Sequence, residues 1–170
     1  NFGLSLSDRY WIDDVAAPQQ WEKINFFDNE FTDDLGLLTL GQQSSGNPSL
    51  MSPNSTLGGD LNKKWKIVNG ERILLKTGSA LFRQEIQNEV AATALHRRLL
   101  EENEYVSYFL HREGRSNYSA CRNMLNDDEE LITAYDVICN RKKPSSMNDY
   151  QFLISCYEQL GIPDAEEMLT

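Results

Sequence analysis

Along this chain the spacing of apolar residues changes several times, and each change predicts an element. Two short apolar runs, "KKWKI" and "RILLK", flank Asn69-Gly70. Asn-Gly tolerates the positive φ angles of a tight two-residue turn, so the pair predicts a β-hairpin. From Arg83 to about Asn103 the period lengthens. Ile86, Val90, Ala94 and Leu99 or Leu100 recur near helical spacing, with Glu and Arg on the other face. The stretch "EYVSYFLHREGRSNYSACRNML" returns to a strand pattern and predicts a second strand pair about Glu113-Gly114. Residues 127–140 read as a helix, with acids in the first turn and Leu131, Ala134, Tyr135 and Ile138 on one face. Another helix is predicted from Pro144–Ser146 to Leu160, with a Tyr150, Leu153, Ile154, Tyr157 stripe and a stop at Gly161 and Pro163. "PDAEEMLT" opens one more, with Asp164 as its cap. This order is that of an α+β fold: one antiparallel sheet holding both strand pairs, with the 83–102 helix packed on it.

The first half reads differently. Residues 1–40 form an aromatic arm, with Tyr10, Trp11, Trp21, Phe26, Phe27 and Phe31 set among acids. It is too short to hold a core, so its rings are expected to pack on another surface. Residues 41–62 are rich in Gly, Ser, Asn and Pro and are expected to form a flexible loop.

Composition narrows the classes. At 170 residues, 40% hydrophobic and 25% charged, the chain suits one packed domain of ordinary size, or a larger domain cut short. It contains no apolar run of about 18 residues that could span a membrane, and its Asn1-Phe2-Gly3 start lacks a signal-peptide pattern. Sixteen Lys and Arg against 26 Asp and Glu leave a net charge of −10. That argues against coating nucleic acid, which relies on basic side chains, while leaving room for a local basic site. Cys121, Cys139 and Cys156 form no C-x-x-C, and His96 and His111 are the only histidines. The expectation is free thiols in a reducing cytoplasm, with neither a zinc site nor a disulfide.

The candidate chemistry centres on "ILLKTGS". It places Lys76 at the end of an apolar strand, and the following helix carries Glu89. A helix carboxylate that restrains a strand lysine lets its point charge offset phosphate charge. On spacing alone, a lysine snorkelling to water beside a solvated glutamate is the simpler alternative. Upstream, Gly58-Gly59 precede Lys63; a glycine loop running into a strand can lay backbone N–H groups on phosphates, but taken alone a flexible linker tip is the better reading. After the second strand pair, Cys121 and Met124 are small or soft enough to line an adenine pocket, but on sequence alone an ordinary strand-to-helix connection is the better reading. No Ser-His-Asp or Cys-His arrangement is supported, and His96 and His111 are expected to face solvent.

Read in order, "RYWI" (9–12), "W-x-x-INFFDN-x-F" (21–31), "SPNST-x-GG" (52–59), the 63–79 run through "LLK", "Q-E-x-x-NE" (84–89), "ELI-x-A" (130–134) and "YEQLGIP" (157–163) resemble the HipA-like serine/threonine kinase family in its short Gram-positive and gut-bacterial form. The resemblance implies a kinase-like N-lobe at 63–125, including the hinge, followed by the first helices of a truncated C-lobe at 126–170. It implies Gly59 and Lys63 as the phosphate loop, Lys76 as the nucleotide lysine and Glu89 as its orienting partner. Arg122 to Met124 would be the interlobe hinge whose backbone meets adenine. Two positions depart from the pattern: Arg122 stands where the family commonly has Glu, and Met124 where it has an aromatic. The implied cofactors are ATP and Mg²⁺, for the full-length protein only. The implied partners are a protein substrate and, since such kinases often act as toxins, a cognate antitoxin. The family's Asp-Arg-His catalytic segment does not occur in these residues, so the chain alone is expected to be inactive. A different class, a non-catalytic module docking a partner through its aromatic arm, is the alternative.

Overall fold

The computed structural model describes residues 9–56, 61–79 and 84–169. Four strands, β1 (Lys63–Val68), β2 (Glu71–Lys76), β3 (Phe109–Glu113) and β4 (Ser116–Arg122), form one antiparallel sheet in the order β1-β2-β4-β3. Asn69 and Gly70 take φ of 53° and 82° and close the first hairpin, and Gly114, at φ 55°, turns the second. The two hairpins join through β2 and β4, with Leu74 opposite Cys121 and Lys76 opposite Ser119.

Strand alternation sorts the core into two layers. On one face Trp65, Leu74 and Cys121 pack with Phe26 and Phe31 of the N-terminal arm. On the other, Ile73, Leu75, Tyr118 and Ala120 form a second cluster with Leu40 beside it. The arm therefore buries Phe26 and Phe31 in the chain's own core, and these two rings are not available to dock a partner. Tyr10, Ile12 and Val15 remain exposed.

The Gly/Ser/Pro segment is anchored by polar groups, which a search for apolar periodicity does not detect. Ser52 and Asn54 are buried. Asn54 Oδ1 accepts from Trp65 N–H at 2.6 Å, and its Nδ2 donates to the Trp65 carbonyl at 3.0 Å. One carboxamide thus satisfies both backbone groups of an edge-strand residue.

Helix α1 (Asp34–Thr39) packs on β1 at close range. A Cβ on buried Gly36 would sit 2.5 Å from Lys64 Cβ and 3.1 Å from Asn54 Cγ. Gly36→Ala is therefore expected to destabilise the protein by about 1–2 kcal/mol, because overpacking outweighs the gain in helix propensity. The urea midpoint reads this, and an unchanged or higher midpoint would refute it.

Helix α2 (Gln84–Leu99) buries Ile86 and Thr93, with Glu89 and Val90 half-buried. Ala94, Leu99 and Leu100, expected on the inner face, are exposed. The inner face carries polar groups that bond across to the sheet, so the apolar stripe mislocates it.

Residues 130–170 form a second compact unit. It contains α3 (Ala134–Cys139), α4 (Asp149–Gln159) and α5 (Ala165–Leu169). The helix expected over 127–140 starts only at Ala134, where the Thr133 side chain caps the Asp136 N–H; four successive acids at 127–130 are a poor helix body. Helix α4 starts at Asp149 rather than 144–146, set by a capping box between Asn148 and Gln151. It buries Phe152 and Cys156, whereas Tyr150 is exposed. Gly161 follows at φ 80° and ends it. No helix among the described residues is long and apolar enough to cross a membrane.

Candidate functional site

Lys76 ends β2 on the face that carries Leu74, with Lys63 opposite it on β1 and Ser119 opposite it on β4. Its ammonium donates to Glu89 Oε1 at 2.9 Å and to the Tyr108 hydroxyl at 2.6 Å. Register decides this contact, because a one-residue slip would turn Lys76 to the other face. Glu89 is positioned from both sides: its backbone carbonyl accepts from Thr93 Oγ1 at 3.1 Å, and Oε2 accepts from the Ser119 hydroxyl. The Thr93 hydroxyl in turn accepts from the Tyr108 N–H at 2.9 Å. One turn of α2 thus fixes both partners of Lys76.

Burial opposes the charge on Lys76, but the hydrogen bonds to Tyr108 and Glu89 more than offset it, so its pKa lies above the ordinary lysine value. Burial pushes the Tyr108 phenol and the Cys121 thiol up. The cluster is therefore a Lys76–Glu89 salt bridge beside a phenol and a thiol that burial holds in their neutral forms at pH 7.

The other expected site residues are distributed around this cluster. Gly59 lies outside the described residues. Lys63 shares the face and is half-buried. Arg122 is exposed and pairs with Glu71 at 3.0 Å. Past it, Asn123 N–H donates to the Arg72 carbonyl at 2.8 Å, while its carboxamide bonds both the N–H and the carbonyl of Leu125. The Met124 backbone takes no hydrogen bond among the described residues. Arg122 and Met124 line a cleft of about 770 Å³ with Tyr105, Val106, Phe109 and Glu129. Lys76 and Glu89 do not line it, so the lysine and its glutamate come together while Arg122 and Met124, expected as a hinge, border a separate space.

Composition and motif reading missed Tyr108, Thr93 and Ser119. Ser119 was findable only by pairing β2 with β4, and Tyr108 sits in a loop without a signature. The same reading missed Lys64, which is completely buried and pairs with Asp33 at 2.9 Å and Glu113 at 2.8 Å. Lys66 joins the same two carboxylates at 3.6 and 2.7 Å. His111, expected in solvent, is half-buried with Nε2 3.6 Å from Glu113. His96 packs edge-on against Tyr105. Although burial opposes it, hydrogen bonding to Lys64 and Lys66 holds the Glu113 carboxyl at about 2. Two ammoniums balance two carboxylates here, which makes this cluster a structural brace between β1, β3 and the start of α1.

The three cysteines are unpaired, with Cys121 and Cys156 buried. Among the described residues no three His, Cys, Asp or Glu side chains group as a metal site. Comparison with protein-family models, curated proteins and solved structures finds no significant match.

Proposed function

We propose that this chain is the nucleotide-binding portion of a HipA-like kinase, one that in full-length form transfers the ATP γ-phosphoryl group to protein Ser or Thr. The observation that carries the reading is the 2.9 Å contact between a strand lysine, Lys76, and a glutamate on the helix packed against its sheet, Glu89. A lysine held in this way presents a fixed positive charge to phosphates. Lys63, its cross-strand neighbour, adds a second cation to the same face. The Met124 backbone offers a donor and an acceptor to a purine edge. ATP and Mg²⁺ are the cofactors of the full-length protein, and a protein substrate and a cognate antitoxin are its partners. The positioning Asp and metal ligands that phosphoryl transfer needs are not supplied by any cluster described above, so residues 1–170 are assigned binding and not transfer.

The isolated chain should bind ATP weakly, with a Kd of about 1 mM or above. NMR titration with MgATP should shift the Lys76, Glu89 and Met124 signals. Lys76→Ala should abolish the response, and radiolabelled phosphate should not be incorporated into the chain. Shifts confined to other residues would overturn the site assignment. Phosphate incorporation that disappears in Lys76→Ala would overturn the assignment of binding alone.

A further inference from the structure

We propose that Tyr108 is a positioning residue of the Lys76 site: its phenol orients the Lys76 ammonium without cancelling its charge, leaving one ammonium hydrogen for an anionic ligand. The proposal rests on the phosphate-binding reading of Lys76. An ammonium has three hydrogens to donate. Glu89 Oε1 at 2.9 Å takes one and the Tyr108 hydroxyl at 2.6 Å takes another. A lysine stem is long and flexible, and a single carboxylate leaves its head free to swing. Two acceptors from separate segments fix it.

The chemistry of the second acceptor matters. A second carboxylate would set another negative charge beside the ammonium and weaken its attraction for a phosphate. A phenol is neutral at pH 7, and burial moves its ionisation further away, so it restrains the ammonium and adds no charge. Tyr108 is itself held: its N–H donates to Thr93 Oγ1 at 2.9 Å. Its ring centroid lies 4.4 Å from Lys76 Nζ, so Tyr108→Phe keeps the ring contact and removes only the oxygen. Thr93 is one turn beyond Glu89 on α2, so any shift of that helix moves both acceptors together.

Glu89 from α2 and the Tyr108 hydroxyl from the segment before β3 bond Lys76 Nζ, while Lys63 of β1 and Ser119 of β4 stand opposite Lys76 in the sheet register and Cys121 lies two residues on along the same face of β4. Losing the phenol oxygen should lower the Lys76 pKa. Trace acetylation at pH about 8.5, quantified by mass spectrometry against exposed Lys142, should then rise severalfold at Lys76 in Tyr108→Phe. Inorganic tripolyphosphate, followed through the Lys76 NMR signals, should bind about five- to tenfold more weakly to Tyr108→Phe than to the wild type, the loss of one orienting hydrogen bond. Far-UV circular dichroism and the urea midpoint, read in parallel, separate orientation from misfolding. Unchanged Lys76 acetylation in a folded Tyr108→Phe overturns the orienting role. Raised acetylation with unchanged tripolyphosphate affinity also overturns it. A wild-type chain that does not respond to tripolyphosphate overturns the phosphate-binding reading, and the ligand role of Tyr108 with it, whatever the acetylation shows.

Discussion

Replacing Lys64 with Ala should cost about 3–5 kcal/mol at pH 7, a large part of the stability of a protein this size. Lys64 is fully buried and bonds Asp33 and Glu113 at 2.9 and 2.8 Å. Without it two carboxylates face each other with Lys66 between them and His111 beside Glu113. The loss should shrink in acid, because the stranded carboxylates can protonate. The wild type has its own acid limit. The Glu113 carboxyl falls from an ordinary 4.5 to about 2 in the folded protein. A depressed carboxyl contributes stability above its unfolded value and loses it as pH falls through the folded one. Up to about 3 kcal/mol should therefore disappear between pH about 4.5 and 2. The Lys64 pKa is raised, because its hydrogen bonds to Asp33 and Glu113 outweigh the opposing burial. Its contribution is full below the ordinary lysine value and is lost as pH rises through the folded one. Urea unfolding from pH 2 to 7 checks the acid limb. A Lys64→Ala penalty that is constant across it would remove Lys64 from the account.

Trp65→Ala should cost a similar about 3–5 kcal/mol. The ring is 1% exposed and stacks edge-on with Phe26 at 4.8 Å, joining the arm to the sheet. Truncation leaves a cavity between the arm's Phe26 and Phe31 and the sheet's Leu74 and Cys121, and loosens the arm as well as the strand. Trp65→Phe should cost much less, under about 1.5 kcal/mol. The indole N–H is buried with no hydrogen-bond partner among the described residues, so the smaller ring also removes an unsatisfied donor. Equal losses for Ala and Phe would mean that the cavity is not the dominant effect.

Both predictions concern residues that a pattern reading treats as ordinary strand positions. In "KKWKI" a lysine flanking a tryptophan looks like alternation between solvent and core. Lys64 is nevertheless at the interior, because the twist of the sheet brings Glu113 of β3 back toward β1 and α1 covers the same face. Thr93 and Glu89 mislead in the same way: polar side chains on the inner face of α2 shift the apparent apolar stripe toward Ala94 and Leu99. Asn54 anchors a segment that has few apolar residues of its own.

What the sequence by itself determined was local. Asn69-Gly70 imposes a tight turn through backbone sterics, and period-2 and helical spacing mark the strands and α2, placing Lys76 on a strand and Glu89 on the following helix without deciding that they pair. These features depend on interactions a few residues apart. Only the tertiary structure decided the β2–β4 pairing that sets Ser119 beside Glu89, the return of Tyr108 onto Lys76, the burial of Phe26 and Phe31 under the sheet, and the closure of Asp33 and Glu113 on Lys64. Those contacts join residues 30 or more positions apart, Phe26–Trp65 and Lys64–Glu113 among them. At such separations the choice of partner follows from the fit of whole packed faces and from satisfying buried polar groups, neither of which is encoded in the spacing of apolar residues along one segment.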